Sequence, residues 1–404
     1  MANAAGRALA AGRRAFGPDW SPSELSRAPG RLELLGNHVD YNGGQVLAAA
    51  IERDVACMIA SSDTRDAISA VFADRDPGRI VTLRPAELLD WRAMGGTPRA
   101  PDYLRGVVAA GLAHGAPIRT GVELAIAGDV PIGFGLSSSA ALCVALTLAL
   151  HGDDPDQVEL VRRAPEAEHR AGTPCGTMDQ SASVAGEVIL FDGASLSFSH
   201  LTPALGEFVF AVADSGVARS LGSSSYPVRV WESQAARELI SAALGRDLAS
   251  LAEVRPDELD AVSSSLDPVL VKRTRHVVTE VERVRQGLEA MKYGDWPAFG
   301  ELMNESGRSS SADYEISHPD VEALVDEARG VDGVVGARMM GGGEGGAALI
   351  LLRKAAFSAL AAGLDERFYT PRGLGDASSR VLVQTFGPGA SRNSFSTNGR
   401  DRAL

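Results

Sequence analysis

Lysine is almost absent from this chain. Only three of its 39 basic residues are lysines: Lys272, Lys292 and Lys354. None follows a G-x-x-x-x-G stretch and none sits in a V-A-I-K context, so a Walker-type phosphate loop and a protein-kinase lysine are both excluded. A nucleotide bound here must be held by backbone amides and serine hydroxyls. Cysteine is scarce too. Cys57, Cys143 and Cys175 are odd in number, far apart and without metal-ligand spacing, which predicts a reduced, cytoplasmic setting. No run of 18 apolar residues exists to span a membrane. Net charge is −13, so nucleic acid is not an expected partner. Internal repeats and heptads are lacking as well.

What is present is 404 residues, 45% of them hydrophobic, enough for two packed domains. The first eighteen residues are basic, acid-poor and serine-free. They read as an N-terminal helix with Ala8, Leu9, Ala11, Ala15 and Phe16 packing, stopped by Gly17-Pro18, in preference to a transit peptide.

Three stretches carry chemistry. The first runs from Gly128 through Gly133, Gly135, Leu136, Ser137, Ser138, Ser139 and Ala140 to Leu150: a glycine-broken loop, three serines, then strong helix formers. Glycines let backbone approach a ligand, serine favours an N-cap, and the helix start aims unpaired N–H groups at the loop. Alone, the stretch fits either a phosphate site or a glycine-rich turn before a buried helix. The second is Arg27 to Leu47, where the apolar Leu32, Leu34 and Leu35 stop at Gly36. His38, Asp40, Tyr41 and Asn42 then crowd one turn near Arg31, which fits a hydroxyl-rich ligand better than the alternative, a plain surface turn. The third, Ala167 to Gln180, places Glu168 and Asp179 beside Cys175-Gly176.

These stretches resemble the galactokinases of the GHMP small-molecule kinase superfamily. Gly30-Arg-Leu-Glu-Leu-Leu-Gly-Asn-His-Val-Asp-Tyr-Asn-Gly-Gly44 is similar to the sugar motif G-R-V-N-L-I-G-E-H-T-D-Y-N-G-G. Residues 131–141 resemble the phosphate loop P-x-G-x-G-L-S-S-S-A, and 167–180 resemble A-E-x-x-x-x-G-x-x-C-G-x-M-D-Q with one residue fewer. Gly336 to Gly346, containing Gly341, Gly342 and Gly343, is similar to G-x-R-M-T-G-G-G-F-G-G. The motifs keep family order over most of the chain.

The resemblance implies an α+β, two-lobed fold with mixed sheets and helices and the active site between the lobes. Residues 1–205 would form the N-terminal domain, with sugar motif and phosphate loop. Residues 206–404 would form the C-terminal domain, with the late glycine motif and a polar, disordered tail from about 390. It implies ATP and Mg2+ as cofactors, and transfer of the γ-phosphate to a sugar 1-hydroxyl. Asp179 and Arg31 would be catalytic, the arginine favouring the ionised form of the carboxylate. Asn37, His38, Asp40, Gly176 and Tyr226 would meet the sugar, and Ser139 with Glu168 would hold the metal. A small-molecule sugar is the expected partner, and oligomeric state is left open.

Departures from the family pattern matter. Ala100 stands where W-x-x-Y-x-K-G has tryptophan, so adenine stacking must come from elsewhere. Gly307 replaces a histidine, and Glu344 replaces a phenylalanine with a charge that must be exposed or paired. Asn37 replaces the glutamate that binds the galactose C6 hydroxyl. That change leaves galactose and a C6-altered sugar (galacturonate or a chain-extended aldose) as candidate substrates, and it predicts that Asn37→Glu improves galactose use. A non-catalytic sugar- and ATP-binding regulator is the alternative function.

Overall fold

The structure is a computed structural model that describes residues 3–75, 78–153, 155–218 and 225–396. Strands β1 (Glu24–Leu35), β2 (Gln45–Ser61), β3 (Ile68–Phe72), β4 (Ile80–Leu83), β5 (Val122–Gly128), β6 (Val188–Asp192) and β7 (Ser197–Leu201) build a first sheet. Strands β8 (Phe208–Asp214), β9 (Val334–Met339), β10 (Ala347–Arg353) and β11 (Val381–Gln384) build a second, antiparallel sheet in the order β11-β8-β10-β9. A last strand, β12 (Ser391–Ser394), returns to the first sheet and pairs antiparallel with β1. The polar tail expected to be disordered from about 390 is therefore ordered through that strand. β1 would otherwise offer an unpaired edge, and backbone pairing needs no apolar side chains. Residues 397–404 lie outside the described residues. The first sheet runs β12-β1-β2-β5-β3-β4, with β6 also pairing β2 and β7 pairing β6; among the described residues only β3 and β5 pair in parallel.

Period-two alternation sorts the two faces of the first sheet. Ala56, Met58, Ala60, Ala125 and Ala127 point to helix α1 (Ala4–Phe16), while Cys57, Ile59, Leu124 and Ile126 point to the opposite core. Helix α1 is the expected N-terminal helix. Asn3 caps it, and Gly12 lies flat under Trp20, where a Cβ would come within 2.2 Å of the indole. Helices α2 (Ala100–Ala113), α3 (Ser138–Leu150), α4 (Gln157–Arg170) and α5 (Met178–Ala185) belong to the other face.

In the second half come α6 (Tyr226–Leu244), α7 (Pro256–Val262), α8 (Pro268–Tyr293), α9 (Trp296–Ala312), α10 (Pro319–Arg329) and α11 (Phe357–Leu364). One face of the second sheet, with Phe210, Leu349 and Leu351, shares its apolar cluster with Leu34, Leu35 and Leu47 of the first. The halves are thus fused through a common core, with no linker holding them apart. Gly307 on α9 explains its own presence: a Cβ would lie 2.9 Å from Cβ of Arg338, so a larger residue would push helix from strand.

Candidate active site

Alternation along β1 sends Leu32 and Leu34 into the core and leaves Arg31 and Glu33 on the other side, facing a cleft of about 1060 Å³. The β1–β2 register shifts twice here, between Pro29 and Arg31 and between Glu33 and Leu35. Such irregularities re-aim side chains next to a site. Gly30 lets the phosphate loop dock on this strand: its Cβ would fall 2.6 Å from the Leu136 carbonyl, which accepts the Arg31 N–H at 3.1 Å.

Arg31 is buried. Its Nε and Nη2 donate to Asp179 Oδ1 at 2.7 and 2.6 Å, and its Nη1 donates to the Gly135 carbonyl at 2.5 Å. The second oxygen of Asp179 accepts from Ser137 Oγ at 2.5 Å. Sugar strand, phosphate loop and the start of α5 are therefore tied at one point. Ser137 precedes α3 with φ 55°, the left-handed region, and its hydroxyl goes to Asp179 in place of capping the helix. The serine expected to cap is diverted. The first-turn amides of Ser138, Ser139 and Ala140 then lack helical acceptors, which suits a phosphate. The left-handed conformation of Gly133 and Gly135 turns the loop into place.

Glu168, on α4, is 2% exposed and faces the cleft. Burial and the neighbouring charge of Asp179 push its carboxyl up to about 7, against hydrogen bonds from Ser139 and Gln180. A buried carboxylate next to a hydroxyl is a hard-oxygen pair, a fit for Mg2+. Among the described residues no group of three or more acids, histidines or cysteines gathers as a metal site. An ion held by Ser139 and Glu168 would take its other oxygens from phosphates and water.

The sugar turn is aromatic and acidic. His38, in the left-handed region at φ 60°, meets Tyr41 through Nδ1 at 2.9 Å and packs its ring 5.3 Å from those of Tyr226 and Tyr314. Tyr226 opens α6; residues 219–224 lie outside the described residues. Asp40 also lines the cleft. Burial raises its carboxyl to about 6, despite hydrogen bonds from the backbones of Tyr41 and Met178. Gly176 makes room for it: a Cβ there would stand 1.9 Å from Asp40 Oδ2.

The late glycine motif closes the far wall. Gly341 and Gly342 line the cleft, and a Cβ on Gly341 would lie 3.8 Å from Arg31 Nη2. Gly343 faces away, its Cβ position 2.2 Å from the Ile316 carbonyl. Glu344 is paired: both its oxygens accept the Ser225 N–H at 3.1 Å, at the start of α6.

Asn37 does not line the cleft. It is fully buried, and its amide donates to Glu33 Oε1 at 2.8 Å and the Gly341 carbonyl at 2.9 Å, while accepting from Ser310 Oγ at 3.0 Å. Its backbone is fixed by Glu280, which accepts the Gly36 and Asn37 N–H groups, and by His276, which donates to the Asn37 carbonyl. Burial alone would raise the Glu280 carboxyl, but Arg283, His276 and Arg338 hold it down to about 2. Glu33, Glu280 and Arg338 were not among the residues singled out from sequence. The exchange at position 33, Glu for the motif's Asn, was the one available signal.

A catalytic-type carboxylate locked to an arginine, beside a helix start and a glycine cradle, defines a small-molecule kinase of the GHMP type. The N-terminal and C-terminal GHMP kinase domain families match residues 102–187 and 286–370, and a galactokinase galactose-binding signature matches residues 13–61. Human galactokinase is 37% identical over 361 residues, covering 86% of this chain and 89% of its own. The Thermotoga maritima galactokinase is 33% identical over 349 residues, covering 85% and 93%. A crystal structure of Lactococcus lactis galactokinase complexed with galactose superposes with a TM-score of 0.85 at 25% identity, over 96% of this chain and 98% of that one. A mevalonate kinase from L. major, at 17% identity and TM-score 0.63, shares the fold. The chain belongs to the galactokinase family, and it is an ATP-dependent sugar kinase.

Proposed function

We propose that this kinase phosphorylates galactose at its anomeric hydroxyl. The observation that carries the reading is the Arg31–Asp179–Ser137 junction, which sets a carboxylate between the sugar turn and the phosphate loop. The galactose-complexed neighbour and the galactose-binding signature support galactose as the sugar.

In this reading the sugar lies against His38, Asp40 and Tyr226 with its 1-hydroxyl at Asp179. The γ-phosphate lies over Gly133–Ala140, its charge met by the amides of α3 and by Arg31. Mg2+ at Ser139 and Glu168 would neutralise phosphate charge. The sugar oxygen forms the new bond to γ-phosphorus as the β,γ-bridging bond breaks, and ADP leaves. Both oxygens of Asp179 already accept hydrogen bonds within the protein. It orients the hydroxyl and takes the proton late, as a loose transition state allows. Adenine takes the apolar end of the cleft near Phe72, Val81, Ala100 and Ile126, where burial of the base replaces stacking on tryptophan. The two-domain division at 205/206 is part of this proposal, with β12 as a strap from the second domain to the first.

The test is an ATP-consumption screen with Mg2+ over galactose, galacturonate, N-acetylgalactosamine, arabinose, fucose and chain-extended aldoses. Galactose is expected to turn over best. Turnover of a C6-altered sugar with galactose rejected would overturn the substrate. Binding of ATP with no turnover of any sugar would favour the regulator.

A further inference from the structure

We propose that Glu33 is the specificity-determining carboxylate of the sugar end of the cleft, and that Asn37 and Arg338 are its positioning residues. This rests on the sugar-kinase reading of the same cleft.

Glu33 is 3% exposed, yet it lines the cleft on the same side of β1 as Arg31. Its side-chain hydrogen bonds converge on one oxygen: Oε1 accepts from Asn37 Nδ2 at 2.8 Å and from Arg338 Nη2 at 3.1 Å. Among the described residues nothing donates to Oε2. Arg338 is fully buried and is itself anchored on the carbonyls of Glu33 and Met339, at 2.7 and 2.8 Å. A carboxylate serving only to neutralise Arg338 would have both oxygens engaged in protein. Here one oxygen is clamped and the other is left to the cavity, the arrangement that accepts a hydrogen bond from a ligand hydroxyl.

Asn37 cannot make that contact without cost, because both its amide hydrogens and its carbonyl are already engaged within the protein. Relative to the sugar motif, Asn and Glu have exchanged places at 33 and 37. The pair still holds one amide and one carboxylate, four residues apart and hydrogen-bonded to each other. The negative charge at this corner has moved to Glu33. It has not been lost, and the expectation drawn from Asn37 alone changes sign. Asn37→Glu would put a second buried carboxylate in contact with Glu33, with Arg338 as the shared cation.

The experiment measures KM for galactose and for ATP in the wild type, Glu33→Gln, Asn37→Glu and the exchange variant Glu33→Asn/Asn37→Glu. Each protein is also tested with 2-, 3-, 4- and 6-deoxygalactose. Glu33→Gln should raise the galactose KM by ~10- to 100-fold, the span for a hydrogen bond to a charged group, while KM for ATP stays within about twofold. Asn37→Glu should weaken galactose use, and the exchange variant should recover it to within about fivefold of wild type. One deoxy sugar should be disfavoured by the wild type and no longer disfavoured by Glu33→Gln, which identifies the hydroxyl. An unchanged galactose KM in Glu33→Gln, improved galactose use in Asn37→Glu, or unaltered deoxy-sugar discrimination would each overturn the assignment. The same panel read as ligand-induced thermal shifts keeps the two readings separate. Sugar binding that depends on Glu33 without turnover would sink the kinase reaction and sustain Glu33; turnover indifferent to Glu33 would do the reverse.

Discussion

Asp179 carries three hydrogen bonds that a neutral amide would not reproduce, two from Arg31 and one from Ser137. Asp179→Asn keeps the shape, removes the charge and leaves the arginine uncompensated. Turnover should fall by ~10²- to 10⁴-fold, the usual contribution of a proton-accepting group, with nucleotide affinity largely kept. Steady-state rates alongside nucleotide titration check this. Two other acids set the pH response. Glu168 titrates near 7 and Asp40 near 6, each pushed up chiefly by burial. Both lie above their unfolded values, so from about pH 4 to 7 the native protein holds protons the unfolded chain has lost. These groups therefore lower stability as pH rises through that window. Binding of a hard cation favours the ionised form, so Mg2+–nucleotide affinity should rise with pH and level off above about 7, with proton uptake by buffer marking the release. Calorimetry in buffers of different ionisation enthalpy reads the proton directly. Glu168→Gln should abolish the part centred near 7.

At the scale of elements, the site depends on where loops and helix starts are pinned. Glu344 holds the first turn of α6 through the Ser225 amide, and α6 begins with Tyr226 against His38. Glu344→Ala should cost ~0.5–2 kcal/mol, as loss of a helix cap does, and raise the galactose KM more than it lowers kcat. Chemical denaturation and sugar kinetics separate the two effects. Gly176→Ala is sterically worse, because the added Cβ would displace the Asp40 carboxylate. It should destabilise by ~1–3 kcal/mol, the cost of overpacking, and weaken sugar binding selectively. Much of this scale was legible in the sequence. The helix ending at Gly17-Pro18, the strand end at Gly36, the strand from Phe208 and the strand from Ala347 all follow from apolar periodicity and glycine punctuation. The register shifts of β1 were not legible, since they arise from pairing with β2, and with them went the direction of Glu33. Glu280 and Arg338 look like ordinary charges of an amphipathic helix and a strand; only the tertiary fold buries them under the sugar turn. β12 was missed because its pairing with β1 is made by backbone groups and its side chains are polar.

For the whole molecule, the shared apolar cluster and the returning strand make the two halves one cooperative body. Arg392 on β12 donates to the Leu148 carbonyl at the end of α3, linking the last strand to the helix that begins at the phosphate loop. Deleting residues 391–404 should lower Tm by roughly 2–3 °C, as expected for a loss of ~2 kcal/mol in a chain of this size. Calorimetric scanning of the truncated chain checks it, and a single transition is expected before and after. The cleft takes walls from both halves, Arg31 and Asp179 from one, Tyr226 and Gly341 from the other. Sugar and nucleotide should therefore stabilise the molecule together more than either does alone.

The most direct measurement is phosphorus NMR of the product formed from galactose and Mg2+–ATP, with wild type and Asp179→Asn side by side. The account predicts a phosphate on the anomeric oxygen, formed with equimolar ADP and nearly absent in the variant. A phosphate on another hydroxyl, or undiminished product from Asp179→Asn, would contradict it.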